Sequence, residues 1–112
     1  MKADGAVKAI EGMRRICLED TSWTEPTSTV RYKAAIVGNR KVRLVEFAVG
    51  FAEAEWCCAG HISYVLSGRL EVEFSESTEV FAVGDIIAIA RDDKHRARVV
   101  EGAVRLFLVE EA

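Results

Sequence analysis

From Val30 to the C-terminus the chain reads as strand after strand, broken by turn residues at short intervals. Val, Ile, Phe, Tyr and Leu recur in short runs. The breaks fall at Gly38-Asn39, Gly50, Gly68, Ser75-Glu76-Ser77, Gly84, Asp92-Asp93 and Gly102. No later segment carries a helical period. Many short strands with closely spaced turns argue for a sandwich or barrel. The 112 residues make one domain, and half of them are apolar, enough for a single core.

Alternation assigns the faces of the strands. Between Arg69 and Phe74, Leu70, Val72 and Phe74 share one face, and Arg69, Glu71 and Glu73 share the other. That is a half-buried antiparallel strand. Between His95 and Val100, His95 falls with Ala97 and Val99, opposite Arg96 and Arg98, so it points inward. The strand from His61 differs. His61, Ser63, Val65 and Ser67 form a small, partly polar face, while Ile62, Tyr64 and Leu66 form a wholly apolar one. Two faces without charge predict that both are covered, one lining a cavity and the other packing on a second sheet or a second subunit.

Residues 1–28 read as an extension and loop ahead of a barrel over residues 29–112. Ala6, Ile10, Met13 and Cys17 recur at helical spacing and predict a short helix, against which stand Gly12 and the lack of a clear cap. Thr21 to Ser28 holds the only proline, Pro26, among threonines and serines, and reads as a loop.

The net charge of −3 is mild and the basic residues are scattered, which argues against a nucleic-acid partner. The longest apolar run, Ile86 to Ala90, is far too short to span a bilayer. Met1 to Gly5 leads into no hydrophobic signal region. Cys57 and Cys58 are adjacent, and the odd count of three leaves at least one thiol free. Free thiols suit a reducing cytosol, so the expectation is a cytoplasmic protein.

The only two histidines sit in Gly60-His61-Ile62-Ser63-Tyr64-Val65-Leu66-Ser67-Gly68 and in the stretch from Gly84 to His95. In order, spacing and strand context these stretches resemble the two motifs of the cupin superfamily. Gly84 and His95 keep the separation of the second motif, with Ala90 where proline is usual and Asp92 where glycine is usual. Gly68 closes the first motif, and His61 stands in the place of its glutamate. Glu55-Trp56-Cys57-Cys58 occupies the place of the His-x-His pair. The resemblance runs from about Val30 to Val109. The Trp56-Cys57-x-x-Gly60-His61 pattern is similar to a branch of small single-domain cupins that replaces the usual histidines.

The resemblance implies an all-β jelly-roll barrel. It also implies a site that, in its usual form, holds divalent iron, manganese, nickel or zinc through three histidines and a glutamate. The altered set available here is His61, His95, Cys57 and Glu55. An unbroken strand places Glu55, Cys57 and His61 on one face, while Gly60 can introduce a bulge that spoils the parity. Two imidazoles with a thiolate or a carboxylate suit zinc or iron.

Each residue also has a plainer reading. His95 can be a barrel histidine bonded to a neighbouring backbone group, His61 in place of a carboxylate can mark a lost site, Cys57 and Cys58 can be small buried hydrophobes, and Glu53 and Glu55 surface charges. Three functions stand: a metal-dependent enzyme such as an oxygenase or isomerase, a metal-free module that binds or senses a small molecule, and a structural homodimer. No nucleotide loop, nucleophile elbow or paired zinc-knuckle cysteines are present.

Overall fold

The computed structural model describes residues 7–8, 12 and 14–112. The chain is all-β, with eight strands described. They are β1 (Val7–Lys8), β2 (Thr24–Thr27), β3 (Val30–Val37), β4 (Arg40–Phe47), β5 (His61–Phe74), β6 (Thr78–Phe81), β7 (Ile86–Ile89) and β8 (His95–Glu111). One turn of 3-10 helix spans Leu18–Asp20. The strands pair in the order β1-β3-β4-β8-β5-β6, with β2 on β3 and β7 on β5. All pairings are antiparallel except β1 with β3.

Two long strands organise everything else. The first half of β5 pairs with the last part of β8, as in Ile62 with Val109. The second half of β5 pairs with the start of β8, ending at Phe74 with His95. Gly68 and Gly102, which the sequence offers as breaks, lie inside these strands with φ of +84° and +66°. The pairing shifts register between Val65 and Leu70. An irregularity of this kind exchanges the faces of a strand, because side chains alternate with period two. Accordingly Ser63 and Val65 are buried before Gly68, and Leu70 and Val72 after it. On β8, His95 and Val99 are buried before Gly102, and Val104, Leu106 and Leu108 after it. The glycines therefore do not end the strands. They let one strand serve two walls of the barrel.

The core is built from those inward positions, with Tyr32, Ala34, Val45, Phe51, Ile87 and Ile89. The rings of Phe47 and Phe51 stack at 4.1 Å and anchor the segment after β4. That segment, residues 48–60, runs along the start of β8. Glu53 N donates to Ala97 O at 2.9 Å, and Cys57 and His95 exchange two backbone hydrogen bonds of 2.7 and 3.0 Å.

The N-terminal region departs from its sequence reading. Thr24–Thr27 pairs with β3, although the segment reads as a loop. Pro26 lacks an N–H, which an edge strand tolerates. Val7–Lys8 is a short strand on β3, and Cys17 precedes the 3-10 turn. Ala6, Ile10 and Met13, the other positions of the expected helix, lie outside the described residues. No helix among the described residues is long and apolar enough to cross a membrane.

Candidate functional site

The site lies at one end of the barrel, where the inward positions turn polar. His61 opens β5 and His95 opens β8. Their rings meet edge to face, with centroids 5.5 Å apart and planes at 81°. Two backbone features bring them together. At Gly60 a Cβ would lie 2.6 Å from Arg91 N, so only glycine allows the chain before His61 to pass this close to the turn before His95. Asp92 N donates to Cys58 O at 2.8 Å across the crossing. Asp92 itself adopts φ +71°, the left-handed conformation that glycine supplies in the related motif and that Asp tolerates better than most residues.

His95 is buried. Its Nδ1 is 2.8 Å from the Asp93 carbonyl oxygen. His61 is partly buried, with Nδ1 3.4 Å from Ser63 Oγ, a long contact. Desolvation, the neighbouring His95 and then the Arg43 guanidinium push the His61 pKa down from 6.5 to about 4. His61 is therefore a neutral imidazole at ordinary pH.

The two rings line a chamber of about 160 Å³, whose wall includes Arg43, Glu53, Cys57, Ser63 and Glu110. Beside it lies an outer cleft of about 560 Å³, lined in part by Arg40, Arg91 and Glu111. Ala59, His61, Ile89 and Glu110 belong to both, so they form the partition between chamber and cleft. Arg43 faces Glu110 as a fork. Nε lies 2.8 Å from Oε2, and Nη2 donates to Oε1 at 3.3 Å. The Nε–H is off the axis of the shorter contact and completes no aligned hydrogen bond, although the atom is sealed from solvent. The guanidinium also lies over the Tyr32 ring, 5.0 Å from its centroid.

Of the four residues the sequence proposes as metal ligands, His61, His95 and Cys57 reach the chamber. Cys57 stands opposite His95 across their shared bridge, which puts both side chains on one face. Glu55 is exposed and not part of the chamber wall, because the chain bends there instead of running as an unbroken strand. Glu53 occupies the wall instead, its Oε1 accepting Ala97 N–H at 2.8 Å. The sequence argument missed Arg43 and Glu110. Glu110 shares its lane with Val104, Leu106 and Leu108, where a charge stands out, whereas Arg43 shares its lane with Lys41 and carries no such signal.

A resident metal ion is a poor fit for this set. Catalytic zinc takes three protein ligands and structural zinc four. No group of three or more His, Cys, Asp or Glu that could hold an ion is present among the described residues.

No family model matches the chain, and no curated protein matches it. Solved structures do. KdgF from Halomonas sp. superimposes with a TM-score of 0.71 at 19% identity, over 84% of this chain and 91% of that one. The cupin domain of Schizosaccharomyces pombe Cnp3 gives a TM-score of 0.69 at 15% identity, over 86% and 72%. The FeII form of HppE gives 0.74 at 10% identity, over 96% of this chain and 65% of that one. At these identities the likeness establishes the fold, an all-β cupin barrel.

Proposed function

We propose that this cupin-fold protein binds a small polar organic molecule in the chamber between His61 and His95. The observation that carries the reading is the convergence of the only two histidines on a chamber that adjoins a larger cleft. Small-molecule sites combine apolar walls with a few placed polar groups, and this chamber does so. A ligand that binds only the native state raises its stability in proportion to the logarithm of concentration over Kd. A thermal-shift screen of small metabolites is therefore expected to yield stabilising compounds. The stabilisation is expected to vanish in His61→Ala and in His95→Ala. A screen without a stabilising compound would sink the reading.

A second reading, a divalent ion of iron, zinc, manganese or nickel, rests on the state of the two imidazoles. The Asp93 carbonyl holds the Nδ1 side of His95, as hydrogen-bonding partners orient metal-bound imidazoles, and His61 is neutral, as a ligand must be. One neighbour of similar fold, HppE, is an FeII form, which supports this reading. Against it stands the shortage of ligands. Elemental analysis of protein purified without a histidine tag decides between them. Stoichiometric metal that is lost in both histidine variants would replace the organic-ligand reading.

Self-association belongs to the same proposal. The outward face of β7, β5 and β8 exposes Ile86 at 63%, Ile62 at 56%, Tyr64 at 44%, Leu66 at 41% and Phe107 at 36%. Tyr64 lies between Ile86 and Phe107, so these side chains make one patch across three strands. Its borders carry both charge signs, in Arg105 with Glu46 and Arg91 with Glu111. A second copy of the same face therefore meets balanced charge around an apolar centre, which suits a two-fold dimer. Sedimentation is expected to show a dimer that the double variant Tyr64→Lys, Ile86→Lys converts to a folded monomer. A wild-type monomer at micromolar concentration would exclude the dimer. Cys17, Cys57 and Cys58 are free thiols, which supports placing the protein in the cytoplasm.

A further inference from the structure

The hydrogen-bonding inventory of the chamber says more about the ligand than its size does. A carbonyl oxygen only accepts, so the contact between His95 Nδ1 and Asp93 O requires the proton on Nδ1. In the neutral ring Nε2 then offers a lone pair alone. Nε2 has no hydrogen-bond partner among the described residues and is not sealed from the chamber that His95 lines. It is an acceptor waiting for a donor. Glu53 adds another: one oxygen takes Ala97 N–H, and the second has no partner among the described residues. Arg43 supplies the donor side. Nε and Nη2 face Glu110, which leaves Nη1 without a partner among the described residues.

Charge selects among the ligands that fit this pattern. Glu53 and Glu110 bring two carboxylates to the wall, against the single guanidinium of Arg43. Glu110 already occupies one edge of that guanidinium. A ligand carboxylate would sit beside two like charges in a partly desolvated space, which is costly. A hydroxyl group carries no charge and both donates and accepts. It satisfies the imidazole lone pair and the guanidinium N–H equally well. We infer that the chamber takes an uncharged polyhydroxy compound, with one hydroxyl donating to His95 Nε2 and a neighbouring one accepting from Arg43. The chamber of about 160 Å³ equals roughly five water volumes, the scale of a short polyol, and any longer chain extends into the outer cleft. The inference rests on the organic-ligand reading above and narrows it to one chemical class.

The test uses nitrogen-15 NMR on the full chain. In the free protein the His95 ring is expected to show a protonated Nδ1 and a bare Nε2. The opposite tautomer overturns the inference before any ligand is added. Glycerol, erythritol and xylitol are then titrated against the acids of the same chain length, glycerate, threonate and xylonate. At least one polyol is expected to shift the His95 ring signals saturably. It is expected to bind at least about tenfold more tightly than its matched acid, the order of penalty for an uncompensated like charge. Arg43→Lys is expected to weaken polyol binding several-fold. Should circular dichroism show that variant unfolded, Glu53→Gln takes its place, with the polyol-over-acid ratio expected to shrink. Acids that bind as tightly as polyols, or His95 signals unmoved by every polyol, overturn the inference. The organic-ligand reading survives that outcome if the metabolite screen yields other stabilising compounds, and falls with it if the screen is empty.

Discussion

Gly68→Ala is expected to destabilise the protein by about 2–5 kcal/mol, more than any other single-methyl change at a glycine of the barrel. Two effects add. Gly68 has φ +84°, and left-handed backbone costs an alanine about 1–2 kcal/mol. The new Cβ would also lie 2.2 Å from Ala103 O and 3.0 Å from Val104 Cα, both backbone atoms of the paired strand. Neither can rotate away, so β8 must shift, and overpacking of this kind costs about 1–3 kcal/mol. For a domain of this size the melting temperature falls by roughly 10–25 °C. Gly84→Ala is the control. Gly84 has φ +94°, yet no atom lies within 4 Å of its Cβ position, so only the backbone strain of about 1–2 kcal/mol applies. Thermal and urea melts of the two variants test the difference. Equal losses at the two positions would show that the contact with β8 is not what requires glycine at residue 68.

Acidification from pH 6.5 to pH 4 is expected to remove about 2–3 kcal/mol of stability through His61 alone. Burial first, then His95 and Arg43, lower its folded-state pKa to about 4, against 6.5 in the unfolded chain. Above pH 6.5 neither state binds the proton, and the residue contributes no pH dependence. As pH falls below 6.5 the unfolded chain takes up the proton and the native state does not, so unfolding is favoured progressively. The loss is complete once pH passes below the folded pKa near 4. The full shift of about 2.5 units would give about 3.4 kcal/mol, and partial solvent exposure of the ring reduces this. Glu46 acts at lower pH. Burial raises its pKa, but hydrogen bonds from Arg31 and Arg105 outweigh that and hold it below 4.5. Its contribution is present above pH 4.5 and is lost only as pH falls further. Urea melts at half-unit steps between pH 7.5 and 4.5 isolate the histidine. In His61→Gln most of the slope between pH 6.5 and 4.5 is expected to disappear. A variant with the wild-type slope would place the titrating group elsewhere.

Much of the barrel was legible in the sequence because the period of two is a direct record of burial. The alternation at Leu70, Val72 and Phe74 and the inward side of His95 follow from it, and the structure places these residues as read. The spacing of Gly68, Gly84 and His95 pointed to the fold. Two things were hidden. The long strands passed for several short ones because a glycine with positive φ marks a face exchange as readily as a turn, and only pairing partners distinguish the two. Glu53 and Glu55 have the same parity, so alternation gave no reason to prefer either. The bend at Glu55 and the bridge between Cys57 and His95 separate them, and both depend on contacts with a strand some forty residues later. Arg43 was hidden for the same reason, and so was its pairing with Glu110. Their partnership is across the sheet, beyond any local window.

The two site histidines begin the two long strands, and they stand at opposite ends of the ribbon that those strands form. His61 lies at the end that pairs with Val109, while His95 faces Phe74 at the other. A straight strand of the 14 residues of β5 would extend roughly 43 Å. The rings are 5.5 Å apart. Their meeting is thus a report on how completely the ribbon has curled, and a molecule held between them acts as the clasp of a bracelet. It resists uncurling along the whole length of the ribbon, so occupancy should register as slower amide exchange at Gly68 and Gly102, far from any atom the ligand touches.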